Sequence, residues 1–212
     1  MKPMTRFLAV AMAIATAATI AVAAPVTWKI DRNHTEVGFE VRHFFSRVHG
    51  RFHEVEGTIV FDEANPDAIQ VDATVQVASV DTGNQKRDTH LQGPDFFEVE
   101  KNPTLKFKST KVTSAGKGKY KVAGDLTMRG VTKPVVFDGE FLGSAPISVK
   151  GQSRGSKAGF AASATVNRKD FGINWNQALD GGGFVLDDNV TIVLNVEADL
   201  SEPVRADAGK SQ

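Results

Sequence analysis

The chain has 212 residues, and its 25 basic side chains are balanced by 25 acidic ones. This length is sufficient for one domain with a substantial hydrophobic core, and the balanced charge gives no electrostatic reason to expect a nucleic-acid partner. Because the sequence contains no cysteine, a disulfide framework, thiol catalysis and cysteine-ligated metals are excluded.

The N-terminal segment has the pattern of a secretory signal peptide. Lys2 and Arg6 precede a long apolar stretch that ends in small residues, with an A-x-A pattern finishing at Ala23. We predict cleavage after Ala23, so that residues 1–23 are removed and the protein is periplasmic. The alternative is an uncleaved membrane anchor, but the stretch is rich in alanine and barely long enough to cross a bilayer.

The rest of the chain shows the period-two alternation of β-strands in one segment after another. Strands with one apolar and one polar face are typical of an antiparallel sheet that meets water on one side only. We predict an all-β domain over 24–200 and a polar, disordered tail over 201–212. The apolar rows are Trp28 and Ile30; Val37, Phe39, Val41 and His43; Ile59 and Phe61; Ile69, Val71, Ala73, Val75 and Val77; Leu105 and Phe107; Tyr120, Val122, Leu126 and Met128; Val135, Phe137 and Phe141; Phe160, Ala162, Ala164 and Val166; and Val190, Ile192, Leu194, Val196 and Ala198.

Two architectures fit this pattern: a closed up-and-down barrel and a two-sheet sandwich. The length of the strands and the large aromatic side chains favour a barrel of about eight strands. A barrel of that size has an interior just wide enough for one slim ligand.

The segment from Gln85 to Glu100 departs from the alternation. It predicts one or two short helical turns on a crossover between strands, and the pair Pro94-Asp95 has the character of a helix start. Its first half holds Arg87, Asp88 and His90, which invite three interpretations. They could perform acid–base chemistry, they could cap and fix the helical turn, or they could contact the polar head of a ligand.

Two other motifs suggest chemistry but lack the required context. The sequence GQSRG around Ser153 matches the G-x-S-x-G pattern of serine hydrolases, but a strand pattern follows it and all five histidines precede it. His49 and His53 have a spacing that could hold a metal, but no H-E-x-x-H motif and no third ligand accompany them. We therefore predict no catalytic residues, no metal site and no cofactor.

Several separated motifs resemble the YceI-like family, in the right order and over essentially the whole of the predicted domain. One small departure is Thr35, where the family often has Ser. The matching segments are WKIDRNHTEVGFEVRH (28–43), VHGRF (48–52), SVDTGNQKRDTHLQGPDFFEVEKNPTLKFKST (79–110), GDLTMRGVTKPVVF (124–137) and VNRKDFGI (166–173).

The resemblance implies a lipocalin-like antiparallel barrel with a long hydrophobic pore that binds a polyisoprenoid, an isoprenoid quinone or another long-chain lipid. A tilted strand of about ten residues encloses a lumen on the order of 25 Å long. Each buried CH₂ group contributes roughly 0.8 kcal/mol, so a long apolar chain needs few specific contacts.

From the alternation, the crossover and the resemblance together we predict a set of ligand-binding residues. The pore candidates are Phe39, Val41, Leu91, Phe96, Phe97, Phe107, Leu126, Phe137 and Phe160, and the head-group candidates are His43, Arg87, His90 and Arg168.

Two other functions remain open at this point: an enzyme that acts on a lipid-like substrate through Asp88 and His90, and a stress or adhesion module that binds a protein partner. A homodimer formed through an exposed strand is also compatible with the pattern.

Overall fold

The computed structural model describes residues 25–201. The predicted signal peptide and all but the first residue of the predicted tail lie outside the described residues. Within residues 25–201, no helix combines the length and the apolar character needed to cross a membrane. The elements are β1 (Val26–Ile30), β2 (Glu36–His43), β3 (Ser46–Phe52), β4 (Val55–Phe61), β5 (Gln70–Gln76), β6 (Val80–Asp81), α1 (Gln85–Gln92), β7 (Thr104–Gly116), β8 (Lys119–Met128), β9 (Val131–Val149), β10 (Gln152–Asn167) and β11 (Leu186–Leu200), with short 3₁₀ turns at Pro66–Ala68, Val77–Ser79 and Arg168–Phe171.

The strands form a closed antiparallel barrel of eight strands, as predicted. The ring runs β1-β4-β5-β7-β8-β9-β10-β11, and it is closed by the pairing of β1 with β11. β2 pairs with the first part of β11, whereas β1 pairs with its last residues, so β1 and β2 lie end to end along the same neighbour. β3 pairs with the other edge of β2, and β6 pairs with the end of β3, so the wall continues beyond β2.

The alternation of the sequence corresponds to the two faces of this wall. On the neighbouring strands β8 and β9, Val122 lies opposite Phe137, and both side chains face the interior. An irregularity between Ser109 and Lys111 on β7 changes the parity of that strand, which explains why Val112 rather than Lys111 is buried. Inward-facing positions therefore follow the sequence pattern until a bulge shifts it.

The two ends of the barrel differ. We call the end that carries α1, the β2–β3 and β8–β9 turns and the β10–β11 loop the helix end, and the opposite end the far end. The far end carries the β4–β5, β7–β8 and β9–β10 connections. At the helix end, β6 pairs with only two residues of β3, and α1 follows β6 after a short connection.

The predicted crossover is helical, but the predicted helix start was wrong. The helix α1 begins at Gln85 and ends at Gln92, whereas Pro94 and Asp95 lie in turns after it. Asn84 is the N-cap, and its side chain accepts a hydrogen bond from the Arg87 amide. An Asn side chain satisfies an otherwise unpaired amide at a helix start, and this explains why the helix begins here.

Candidate functional site

The barrel encloses one large apolar cavity of about 650 Å³. Its wall is built from the inward rows of the strands, and the crossover segment contributes Leu91, Phe96 and Phe97. All predicted pore residues line this cavity, namely Phe39, Val41, Leu91, Phe96, Phe97, Phe107, Leu126, Phe137 and Phe160. The structure therefore brings together on one surface the side chains predicted from the alternation of the strands and those predicted from the crossover.

Aromatic rings line the middle of the cavity. Phe52 packs against Phe39 and Phe97, with ring centroids 5.7 and 5.8 Å apart. The rings of Phe107 and Phe137 meet edge to face at 5.1 Å. These contacts leave apolar ring surface facing the cavity, which suits a flexible hydrocarbon chain.

Two glycines create the space for these rings. A Cβ atom at Gly50 would overlap the ring of Phe39, and a Cβ atom at Gly124 would overlap the ring of Phe107. Gly50 lies directly opposite Phe39 in the β2–β3 pair. Each phenyl ring therefore lies directly over a glycine of the neighbouring strand. Any larger residue in place of that glycine would force the ring to move.

The far end of the cavity is closed by a packed group of aromatic side chains, which we call the aromatic plug: Phe61, Tyr120, Phe141 and Phe160. Phe61 contacts the other three, with centroid distances of 4.3 Å to Phe141, 5.5 Å to Phe160 and 5.8 Å to Tyr120. Burial raises the pKa of the Tyr120 hydroxyl. A chain bound in the cavity therefore meets an apolar floor at this end.

Polar lining residues are concentrated at the helix end. Asn84 and Lys86 are exposed but also line the cavity, as do the predicted head-group residues His43, Arg87 and His90. These residues come from α1 and the residue before it, and from the end of β2. We call this rim the mouth of the cavity.

Arg87 is held at the mouth by Thr82. Its Nε donates to the Thr82 hydroxyl at 2.7 Å, and its Nη2 donates to the Thr82 carbonyl at 2.8 Å. Asp88 accepts hydrogen bonds from the amide and the hydroxyl of the same Thr82. The capping role considered for Arg87 and Asp88 belongs instead to Asn84, and the two charged residues tie the start of α1 to the end of β6.

His90 is paired with Asp95 rather than with Asp88. Its Nε2 lies 2.9 Å from an Asp95 carboxylate oxygen, and its ring packs edge-on against Phe96 and Trp175 at 5.0 and 5.2 Å. The pair Asp88 and His90 considered for catalysis is thus divided between two different sets of partners.

Trp175, which the sequence reasoning missed, belongs to this cavity wall. It lies in the β10–β11 loop, where no alternation marks a residue as inward-facing, and it packs against Phe96 at 5.3 Å. The available signal was its residue type. A tryptophan in an otherwise polar loop would expose a large apolar surface to water unless its ring packed against the protein.

Arg168 also lines the cavity, but its guanidinium is engaged within the protein. Only 4% of the residue is exposed. It donates to the carbonyls of Ile173, Trp175 and Asp187 and forms an ion pair with Asp188 at 3.1 Å. Burial lowers the pKa of the guanidinium. The geometry favours a positioning role, in which Arg168 holds the loop that carries Trp175.

His49 and His53 lie near different carboxylates: His53 is 3.0 Å from Asp81, and His49 is 3.7 Å from Glu40. Elsewhere in residues 25–201, Asp31, His34 and Glu197 are close enough to one another to hold a metal ion. The ammonium of Lys157 lies 2.9 Å from both carboxylates, so a cation of the protein itself already contacts this group.

The G-x-S-x-G sequence forms part of the β9–β10 hairpin. Gly151 and Gly155 have φ angles of 77° and 79°, and the exposed Ser153 lies at the start of β10. A serine nucleophile of that motif stands between a strand and a helix, whereas here a strand follows.

An antiparallel eight-stranded barrel with an enclosed apolar cavity and a polar mouth defines a lipocalin-like class of fold. The YceI-like domain model matches residues 28–198, and the chain belongs to this family. Thr35, the small departure from the family pattern, keeps the function a Ser would have, because its hydroxyl donates to the Glu197 carbonyl and accepts from the Glu197 amide.

Relatives and solved structures agree with this assignment. A UPF0312 protein of Photorhabdus laumondii is 41% identical over 155 residues, which cover 73% of this chain and 78% of that protein. The Campylobacter jejuni YceI crystal structure is 34% identical with a TM-score of 0.62, and it covers 82% of this chain and 97% of that one. A Saccharophagus degradans domain described as polyisoprenoid binding has a TM-score of 0.60 at 12% identity, and it covers 83% of this chain and 99% of that one.

Proposed function

We propose that the protein binds one long-chain isoprenoid, such as a polyprenyl lipid or an isoprenoid quinone, inside the barrel and shelters it in the periplasm. The observation that carries this proposal is the cavity of about 650 Å³ with an apolar wall and a polar mouth. Ligand sites of proteins are typically concavities of about 300 to 1,000 Å³ lined mainly by apolar groups. A neighbour described as polyisoprenoid binding shares the fold, and at 12% identity it supports the fold alone.

The cavity is apolar at the far end and polar at the mouth, and this difference predicts how a ligand would be oriented in it. The aromatic plug presents ring surface with the Tyr120 hydroxyl as its single polar group, whereas His43, Arg87 and His90 lie at the mouth. We therefore assign the apolar chain to the interior and the polar head to the mouth. Each CH₂ buried in the wall contributes roughly 0.8 kcal/mol, so chain length and cavity width set the affinity more than individual hydrogen bonds do.

The position of Trp175 provides a direct test of binding. The chain has two tryptophans, of which Trp175 lines the cavity near the mouth and Trp28 is buried in the barrel wall. A long-chain ubiquinone added from detergent solution should quench the Trp175 fluorescence in a saturable manner.

The matched control is Trp175→Phe, which should retain the ligand but lose most of the quenching because Trp28 does not line the cavity. Absence of saturable quenching, together with absence of retained quinone after gel filtration, would count against the proposed function.

A further inference from the structure

The tip of the β2–β3 hairpin has a composition that folding does not explain. A two-residue turn, Phe44-Phe45, joins the strands. Phe44 has a φ angle of 51°, a region that turns normally fill with Gly, Asn or Asp. Phe44 is 42% exposed with its ring edge-to-face against His43 at 4.5 Å, and Phe45 is fully exposed, so neither ring gains much from the core. Residues that break a local rule without a structural gain tend to mark function.

A third aromatic side chain lies beside this tip. The Phe44 amide donates to the Val185 carbonyl at 3.0 Å, which fixes the β10–β11 loop next to the hairpin. Phe184 in that loop is 64% exposed. The ammonium of Lys169 lies 5.8 Å from the centroid of its ring. Phe44, Phe45 and Phe184 therefore form an exposed apolar group, which we call the aromatic tip.

Basic side chains flank the aromatic tip. Arg42 and Arg47 stand on either side of the Phe pair and remain largely exposed. Arg42 pairs with Asp187 at 3.2 Å, and Arg47 pairs with Glu40. Exposed pairs of this kind contribute little to stability, so either guanidinium can contact a phosphate oxygen at small cost. Aromatic rings combined with arginines are typical of segments that lie at a bilayer interface.

The aromatic tip is continuous with the mouth of the cavity. The inner face of the same hairpin supplies Phe39, Val41, His43 and Val48 to the cavity wall. On the other side of the mouth, α1 supplies Arg87 and His90. A lipid that leaves a membrane touched by the tip would therefore enter the cavity without passing through bulk water.

We propose that the aromatic tip is a membrane-docking element whose partner is the surface of a phospholipid bilayer, and that a lipid moves between this bilayer and the cavity. The role given to docking, lipid transfer, rests on the proposed function. Docking itself can be measured without it. Docking is tested by binding to vesicles, and cavity occupation is tested by ligand supplied in detergent.

The test compares the purified protein with the double variant Phe44→Ser/Phe45→Ser. The control is Leu142→Ser, which removes an exposed apolar side chain from β9 on the barrel wall, away from the tip (61% exposed). Flotation with phosphatidylcholine vesicles containing phosphatidylglycerol measures membrane partition, and Trp175 quenching measures the uptake of ubiquinone from those vesicles.

We expect the double variant to lose roughly tenfold or more in vesicle partition, because two phenyl rings no longer enter the interface. Its uptake of ubiquinone from vesicles should slow in proportion, while equilibrium binding from detergent stays unchanged. Leu142→Ser should alter neither measurement. Circular dichroism and thermal melting check that each variant folds, and Phe45→Ser alone serves if the double variant does not.

Equal vesicle partition of the double variant and the unsubstituted protein would overturn the docking proposal. A tip-dependent dimer in sedimentation velocity, without vesicle binding, would also overturn it and assign the tip to a second copy of the chain. Failure to bind ubiquinone from detergent, with vesicle partition intact, would instead contradict the proposed function and leave the docking result standing.

Discussion

The two ends of the barrel use aromatic side chains in opposite ways. At the far end, Phe61 contacts Tyr120, Phe141 and Phe160 inside the aromatic plug. At the helix end, Phe44, Phe45 and Phe184 are exposed, beside a mouth that is lined by His43, Arg87 and His90. The difference indicates that the far end contributes more to stability, because buried rings stabilise a fold and exposed rings do not, and we propose that the helix end serves the exchange of lipid.

The largest expected effect is the loss of the central ring of the plug. Phe61→Ala should lower the free energy of unfolding by about 3 to 4 kcal/mol, because it leaves a cavity among packed rings. Phe45→Ala, which changes the same residue type at the exposed tip, should change it by less than about 0.5 kcal/mol. Urea unfolding followed by circular dichroism measures both, and similar losses for the two variants would contradict the division between the ends.

The next effect concerns the framework of the helix end. Arg168→Met removes a buried guanidinium that holds two carbonyls of the β10–β11 loop, one carbonyl of β11 and the Asp188 carboxylate, and it should cost about 3 kcal/mol of stability. Exposed Arg154 provides the control, since Arg154→Met should be close to neutral. Because Trp175 sits on the loop that Arg168 holds, the variant's tryptophan emission should also shift to the red, and an unchanged spectrum with unchanged stability would refute the positioning role.

A smaller effect is expected from filling the cavity between the two ends. Ala162 lines the cavity and packs against the core residues around Leu126 and Phe137, whereas its neighbour Ser163 is exposed. Ala162→Trp should weaken quinone binding about tenfold, which corresponds to about 1.4 kcal/mol, because the ring occupies ligand space. Ser163→Trp places the same ring outside and should leave the affinity unchanged. Equal affinities for both variants would place the ligand elsewhere.

The smallest effect concerns the pairing of β1 with β11, which closes the barrel. β1 and β11 pair through only a few residues, and Lys157 on β10 reinforces them by ion pairs to Asp31 at 2.9 Å and Asp199 at 2.8 Å. The hydrogen bond from Lys157 is the main reason that the pKa of Asp31 is lowered from 3.8 to about 2.

A carboxyl with a lowered pKa stabilises the fold above its ordinary pKa, and this contribution is lost as the pH falls through the folded value. We therefore expect the free energy of unfolding to fall by roughly 1 kcal/mol as the pH is lowered from about 4 to about 2, after allowance for solvent screening. Lys157→Met should be destabilised at neutral pH, and its deficit should shrink at pH 3, where an unpaired Asp31 is protonated. A deficit that does not depend on pH would contradict the ion-pair account.

His34 contributes in the opposite direction. The hydrogen bond that its Nδ1 donates to the Asp31 carboxylate raises the pKa of His34 above 6.5, so its contribution is complete below that value and is lost as the pH rises through the raised pKa. Because the side chain is exposed, the effect should be slight, and an NMR titration of the His34 ring measures the raised pKa directly.

Much of the fold could be predicted because a closed barrel imposes a strict alternation on its strands. Leu126, Phe137 and Phe160 followed from parity alone, since each lies on a strand with one wet face. The start of α1 was misplaced because Pro94-Asp95 resembles a helix start as strongly as the true cap, Asn84, does. Trp175 and the aromatic tip were missed because a loop and a two-residue turn carry no periodicity.

Placement of the charged residues was harder to predict than that of the apolar ones. The sequence places Arg87, Asp88 and His90 close together, but it does not reveal that Thr82 holds the first two and that Asp95 holds the third. Contacts of this kind depend on the path of the backbone, which apolar patterning leaves undetermined. Arg168 shows the same limit, because two of its partners, Ile173 and Trp175, lie on a loop that the pattern does not describe.

The most direct test of the central claim is native mass spectrometry of the protein purified from a bacterial periplasm without added lipid. The account predicts a complex of one chain with one long-chain isoprenoid, whose mass is released on collisional activation, and the same measurement on Ala162→Trp should show a lower occupancy. A chain that is always empty, and that stays empty after incubation with ubiquinone or polyprenol in detergent, would contradict it.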